Sequence, residues 1–373
     1  MKIINVNISE HKYDVYIGRD LPDHIAKLLS SLSQEQKVII ITDDFFEKTY
    51  AKLVQTSLDD RGFDCSIHVM SGGKDNKSFS EVLRIYGKLE INNFARDSIL
   101  IALGGGVIGD LAGFIASTWY RGMAFVHVPT TLMAMIDSSI GGKVAINYRE
   151  TINAVGNYYH PIANFMDLNL IDSLSERDYV SGLAEVIKCA FIADNDFVDY
   201  LLKHKEQILK RSQEHLVYSM QRTIEIKVDH VHNDVREDGK RLLLNYGHTL
   251  GHAIEMATHT ENGESFRHGE GVALGMVAAA SVAQAHLSIP VEIGQQIRDI
   301  LKKYKLPTFF SASELGFKRD ELIELCARLI LKDKKRKDNQ LRFILVNQLG
   351  KANVFTGISK EHIIQAYQAV IKE

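Results

Sequence analysis

Cysteine is scarce in this sequence: Cys65, Cys189 and Cys326 are the only three in 373 residues. So odd and sparse a set builds neither a disulfide framework nor a cysteine-ligated zinc site. Neither sign of charge is in excess. The 44 basic and 47 acidic residues leave a formal net charge of −3. That balance gives no support to a nucleic-acid partner, whose footprint is a basic excess, but local basic clusters leave phosphorylated substrates open. Long apolar runs are missing as well. Residues 1–18 lack the apolar core of a signal peptide. The most apolar stretch, Gly271 to Leu287, is interrupted by Gly275, Ser281, Gln284 and His286, and a membrane span needs about 20 predominantly apolar residues. It reads as a buried core helix, so a cytoplasmic chain with no membrane partner is expected.

What is present is an ordinary globular composition, 45% apolar and 24% charged. At roughly 100–200 residues per domain, the length suggests two domains or one large one. Ile3–Ile8 and Tyr13–Ile17 read as a short antiparallel pair. Unbroken apolar runs at Val38–Ile41, Ser98–Leu103 and Phe125–Val128 suit strands buried on both faces of a parallel sheet. Helical stretches such as Ser78–Asn92 separate them, and this rhythm predicts a doubly wound, mostly parallel α/β domain over residues 1–167. After Asp167 the pattern is helical, with helices expected at Glu185–Asp194, Phe197–Leu209 and Leu216–His232 and one short strand near Leu341–Val346. An all-α second domain is therefore expected over residues 168–373.

Four groups of residues suggest chemistry. The first, Gly104-Gly105-Gly106-Val107-Ile108-Gly109-Asp110, follows a predicted strand and opens a helix. Glycines there let a backbone approach a phosphate, and a helix N-terminus favours negative charge. The spacing is not GxGxxG, and a plain tight turn would look the same. Asp43 and Thr130-Thr131 lie at other predicted strand ends, where open α/β sheets bind ligands. The second group is Asp137 to Lys143 (DSSIGGK), either backbone close to a ligand or a surface loop. The third is Asn245 to His252 (NYGHTLGH), followed by His268-Gly269-Glu270 and preceded by Glu185. Histidines plus one glutamate suit zinc with a position left open, and spacing alone nominates His248 and His252, one helical turn apart, as joint ligands. The fourth is a scattered basic set, Lys188, Lys227, Arg241, Lys334 and Lys335. It reads either as solvated surface charge or as an anion site between the domains.

These strings, taken together, resemble the 3-dehydroquinate synthase family. The matching segments are GGGVIGDLAGF (Gly104–Phe114), VPTTLMAMIDSSIGGK (Val128–Lys143), SGLAEVIK (Ser181–Lys188), REDGKRLLLNYGHTLGHAIE (Arg236–Glu255), HGE (His268–Glu270) and DKK (Asp333–Lys335). They stand in the family's order and cover nearly the whole chain. The resemblance implies a Rossmann-like NAD domain, a helical metal- and substrate-binding domain, one divalent ion (zinc or cobalt) and a homodimer. Family ligand positions fall on Glu185, His248 and His268, and His252 then contacts substrate phosphate. Substrate positions fall on Asp137, Lys143, Asn153, Lys188, Lys227, Arg241, Asn245, Lys334 and Lys335, with Arg121 reaching phosphate across the dimer interface. Cofactor positions fall on Asp43, Gly73, Lys77, Gly105, Gly106, Val107, Ile108, Gly109, Asp110, Thr130, Thr131, Lys143, Ile152, Leu170 and Ser173. The implied reaction belongs to the shikimate pathway of aromatic amino-acid biosynthesis. It converts a seven-carbon keto-acid phosphate to a carbocycle by oxidation, phosphate elimination, reduction and aldol closure, with no net redox change.

Two positions depart from the family pattern, both on the cofactor side. Lys74 replaces a glutamate in Gly73-Lys74-Asp75-Asn76-Lys77, and Ile152 replaces a lysine in Thr151-Ile152-Asn153. Arg241 bears on the substrate, because a guanidinium binds a carboxylate in bidentate fashion. Related cyclases acting on sugar phosphates without a carboxylate lack the full pattern Arg241, Leu244, Asn245, Gly247, His248, Gly251, His252. A specialised cyclase, including one acting on an aminated acid, is the alternative reading. A polyol dehydrogenase of the glycerol dehydrogenase type is opposed by the basic set, and a non-catalytic relic by the complete site.

Overall fold

A computed structural model describes all of the chain except residues 33–36, 71–72, 74–75, 150, 261–262 and 334–340. The chain divides into two compact units, Met1–Leu174 and Ser175–Glu373.

The first unit runs β1 (Lys2–Ile8), β2 (His11–Gly18), α1 (Pro22–Leu32), β3 (Lys37–Asp43), α2 (Asp44–Glu47), α3 (Tyr50–Asp59), β4 (Asp64–Met70), α4 (Phe79–Ile91) and β5 (Ile99–Gly104). It continues α5 (Gly106–Thr118), β6 (Ala124–Pro129), β7 (Lys143–Tyr148), β8 (Thr151–Tyr158), β9 (Ala163–Asp167) and α6 (Leu168–Asp172). Seven strands form one sheet in the order β1-β2-β9-β6-β5-β3-β4. β1 pairs antiparallel to β2, with Ile3 opposite Tyr16, and every other pairing is parallel. The apolar runs became the middle of the sheet, where every residue of β5 is buried. On one face Ile39, Ile41, Leu100 and Ala102 pack under Val82, Ile85 and Leu89 of α4 and Ile108, Leu111 and Ile115 of α5. β7 and β8 stand apart as a hairpin, and β8 is exposed along most of its length. The buried carboxylate of Asp167 accepts from the backbone N–H of Leu21 (2.8 Å), the Tyr50 hydroxyl (2.7 Å) and the backbone N–H of Asn169 (2.9 Å). This cap fastens α6 to the first unit.

The second unit contains α7 (Glu176–Ala193), α8 (Asn195–Lys203), α9 (Lys205–Leu209), α10 (Gln213–Val231), α11 (His248–Ala257), α12 (His268–Leu287), α13 (Val291–Lys303) and β10 (Phe310–Ser311). It closes with α14 (Arg319–Asp333), β11 (Phe343–Gln348), β12 (Lys351–Phe355), α15 (Lys360–Val370) and β13 (Ile371–Lys372). Among the described residues, four short strands in two pairs, β11–β12 and β10–β13, modify the expectation of an all-α domain. The expected strand near Leu341–Val346 is β11. Gly271–Leu287 is the buried helix its composition implied, and no helix among the described residues is long and apolar enough to cross a membrane.

Glycines set the spacing of this second core. A Cβ on Gly275 would collide with the carbonyl oxygen of Gly247, and one on Gly251 with the carbonyl oxygen of Gly271. α11 and α12 therefore meet backbone to backbone. A Cβ on Gly269 would strike the carbonyl oxygen of Ser181 in the same way, which seats the start of α12 on α7. Gly247 enters α11 with φ +79°, a left-handed value that only glycine adopts freely.

Candidate active site

The three glycine contacts carry the candidate side chains with them. Glu185 lies one turn beyond Ser181, His248 and His252 flank Gly251, and His268 precedes Gly269. One ligand nitrogen from each of His248, His252 and His268 lies within 4.8 Å of the others. Glu185 is 1% exposed, and its Oε1 lies 3.6 Å from His248 Nε2 and 4.0 Å from His268 Nε2. Lys188, one turn further on, pairs ionically with the other oxygen. Apart from that ion pair, neither oxygen accepts a hydrogen bond, and Oε1 faces the two imidazoles. The outer nitrogens are held elsewhere. His248 Nδ1 lies 3.2 Å from the Tyr246 carbonyl, and His268 Nδ1 lies 3.3 Å from Glu255 Oε1. The first contact is a hydrogen bond of the kind that orients a metal-ligating imidazole, and the second is an ion-pair contact only, since Glu255 Oε1 takes part in no hydrogen bond. One carboxylate and two Nε2 atoms with an open side make a donor set that fits a catalytic divalent cation. His252 sits in the same cluster, 5.2 Å from His248 and 5.5 Å from His268 between ring centroids, and is the exposed member of the three.

Buried cations belong to the same unit. Lys188 is 1% exposed, Arg241 is 3% exposed, and Lys227 is also buried. For these three, the reading as solvated surface charge fails. Burial holds the neighbouring His230 imidazole below its usual pKa, and Lys188 and Lys240 add to that effect. Asn245 closes a 3-10 turn (Lys240–Asn245) and donates to Glu237. Lys334 and Lys335 lie outside the described residues.

In the first unit the glycine-rich segment joins β5 to α5. Gly105 caps α5 without any side-chain hydrogen bond, which leaves the first amides of the helix, those of Gly106, Val107 and Ile108, without a side-chain cap. A Cβ on Gly105 would meet only a Thr131 methyl at 3.7 Å, so the approach to this helix end is open. That fits a pyrophosphate. The other glycines of the run serve packing. The side chain of Ile108 folds over Gly104, and His127 sits 3.0 Å from where a Gly109 Cβ would be. The Gly109 amide is spent on the Gly105 carbonyl (3.0 Å). Asp110 pairs with buried Lys77, which also donates to Asn153. Asn153, at φ +54°, is held by its amide N–H to Asn147 Oδ1 (3.0 Å).

Asp43 caps α2 by accepting from the Phe46 amide at 3.2 Å, and burial raises its pKa. Thr130 donates its amide to the Gly104 carbonyl (3.0 Å), and Thr131 Oγ1 accepts from the Ala134 amide (3.0 Å). The turn that follows has π-helical pairing over Ala134–Ser138 and includes Asp137; such turns are frequent at functional sites. Lys143 and Ile152 are exposed on the β7–β8 hairpin, Ile152 to 64%. Leu170 is buried, and Ser173 donates to its carbonyl at 2.7 Å. Gly73 lies in a bend with φ +106°, while Lys74 falls outside the described residues. Arg121 is exposed and follows Tyr120 in a pair of left-handed residues, φ 66° and 47°, a strained arrangement for non-glycine residues.

Sequence reasoning missed four supporting residues, Glu255, Tyr246, Asp234 and Asn147. Glu255 was inside a quoted motif, and its place one turn after Gly251 was the available signal. Tyr246 acts through its backbone carbonyl, which no side-chain pattern reports.

A mostly parallel sheet followed by a helical unit is an architecture found in solved cyclases and dehydrogenases. A 2-deoxy-scyllo-inosose synthase complexed with carbaglucose-6-phosphate, NAD+ and Co2+ superposes with TM-score 0.86 at 23% identity, covering 98% of this chain and 99% of its own. A 2-epi-5-epi-valiolone synthase from Streptomyces hygroscopicus with NAD+ and Zn2+ bound gives 0.84 at 23% identity, covering 97% of each chain. A glycerol dehydrogenase from Schizosaccharomyces pombe gives 0.65 at 17% identity, over 99% of this chain and 90% of its own. Sequence narrows the class. Residues 67–181 match the family model for the 3-dehydroquinate synthase N-terminal region and residues 182–336 that for its C-terminal region. The 3-dehydroquinate synthase of Idiomarina loihiensis is 38% identical over 100% of this chain and 99% of its own length. That of Thermodesulfovibrio yellowstonii is 36% identical over 97% and 98%. The chain belongs to the 3-dehydroquinate synthase family.

Proposed function

We propose that this chain is a carbon–oxygen lyase that converts 3-deoxy-D-arabino-heptulosonate 7-phosphate to 3-dehydroquinate and phosphate, acting as a cytoplasmic homodimer. The observation that carries the reading is the buried Glu185, ion-paired to Lys188 and facing two imidazoles, with the further buried cations Lys227 and Arg241 in the same unit. Glu185, His248 and His268 would hold a zinc or cobalt ion, which when bound supplies a Lewis acid to the substrate's secondary alcohol. The open helix end at Gly105–Ile108 would hold the pyrophosphate of NAD, which when bound would supply reversible hydride chemistry.

This chain's own residues bind and orient. Arg241 would take the substrate carboxylate as a planar, bidentate donor. Lys188, Lys227, Asn245 and exposed His252 would take hydroxyl and phosphate oxygens, as would Asp137, Lys143 and Asn153 of the first unit and the Lys334–Lys335 pair. Arg121 would serve the phosphate of the partner protomer. A phosphate held this way can accept the proton lost during its own elimination, so no dedicated strong base is required. Incubating the pure protein with the keto-acid phosphate, NAD and a divalent metal should release one phosphate per 3-dehydroquinate formed. Faster cyclisation of sedoheptulose 7-phosphate, which has no carboxylate, would overturn the assignment in favour of a specialised cyclase.

A further inference from the structure

Arg241 follows a loop that turns around a single carboxylate. Asp234 Oδ1 accepts from the backbone N–H of Asp238 at 2.8 Å. Its Oδ2 accepts from the N–H of Gly239 at 2.7 Å and from that of Arg241 itself at 2.8 Å. The guanidinium of Arg241 donates to the Val235 carbonyl at 2.8 Å. Both ends of Arg241 are thus fastened to neighbouring residues at the start of the loop. Burial works against ionising Asp234, but the three amides and Arg241 outweigh it, and its pKa lies below the usual carboxylate range. The same loop holds Glu237 at φ 65°, where its carboxylate receives Asn245.

We infer that Asp234 is a positioning residue, whose carboxylate winds residues 234–241 so that buried Arg241 meets the substrate carboxylate in one fixed orientation. This rests on the reading of Arg241 given above. A guanidinium that recognises a carboxylate in bidentate fashion needs its plane fixed as well as its charge present, and the Asp234 contacts fix the backbone from which it projects.

The test is a double-mutant cycle on the metal-loaded enzyme, read as KM and kcat for the keto-acid phosphate. Asp234→Ala should raise KM on the order of 10-fold to 100-fold, with kcat changed less. Asp234→Asn keeps an acceptor oxygen and should recover part of the loss. In an Arg241→Ala background, Asp234→Ala should add no more than about twofold, because the group it positions is gone. An unchanged KM in Asp234→Ala overturns the inference. So does a KM increase that multiplies in full in the Arg241→Ala background, which would make Asp234 a general fold support. If the alanine variant does not fold, the asparagine variant runs through the same cycle with the same two readings. An Arg241→Ala enzyme with wild-type KM would instead overturn the assignment of the substrate carboxylate.

Discussion

The two glycine-rich regions look alike on paper and do opposite things. Around Gly105 the absence of a side chain leaves a helix end open, with only a methyl at 3.7 Å. Around Gly251, Gly269 and Gly275 the absence of side chains is filled completely by backbone from α7, α11 and α12. One set leaves a helix end uncovered, and the other brings three helices together so that Glu185 and the histidines converge. Glycine density alone therefore does not identify a phosphate cradle. The deciding observation is what a Cβ would touch.

The largest expected effect removes what the second set assembles. His248→Ala should abolish both metal binding and turnover, checked by metal analysis of the purified protein and by phosphate release. Near-stoichiometric metal with near-normal activity would break the assignment of this cluster. Next in size is the paired test of the glycines. Gly275→Ala should destabilise the protein by about 1–3 kcal/mol through overpacking and lower its metal content, measured by denaturant unfolding and metal analysis. Gly105→Ala should leave the unfolding midpoint unchanged yet weaken NAD by about 1.4 kcal/mol, roughly tenfold in Kd, read by calorimetric titration. The contrast between the regions fails if the two variants behave alike.

Glu255→Ala should cost about 10- to 100-fold in metal affinity, since it frees His268 Nδ1 from its 3.3 Å contact. Titration with Co2+, followed by its visible absorption, reports this without any turnover. The smallest effect is expected on the cofactor side. Ile152 is 64% exposed, so Ile152→Lys should tighten NAD by only a few tenths of a kcal/mol, as exposed charges do. Adding Lys74→Glu should tighten it further, and equal affinity in wild type and double variant would mean that Lys77 and Asp43 hold the cofactor. A preference for NADP in the wild type would mean that Lys74 reads a 2′-phosphate.

Much of this was legible in the sequence because it is written in local patterns. Apolar runs reported β3, β5 and β6, since strands buried on both faces cannot alternate. The motif around His248 reported the cluster because both histidines share one helical face. Spacing could not rank His252 against His268. The structure brings all three imidazoles together, and the contacts of Glu185, from another helix, are with His248 and His268. β4 and β9 escaped because Asp64–Met70 and Ala163–Asp167 mix polar and apolar residues and gain their strand character from neighbours. The supports at Asp234 and Asn147 escaped for a related reason, because each acts on backbone amides that carry no sequence signature.

The Asp167 cap also governs the order in which the first unit can assemble. Its partners Leu21 and Tyr50 lie 146 and 117 residues earlier in the chain. Among the described residues, the N-terminal hairpin joins the sheet through the pairing of β2 with β9. As synthesis proceeds from the N-terminus, β1 and β2 must wait, paired to each other alone, until residues 163–167 have emerged. Closing so long a loop makes this a slow step, and an unpaired β2 edge is open to association with other chains meanwhile. Early truncations of this unit should therefore aggregate, because the strand that completes the sheet is the last one made.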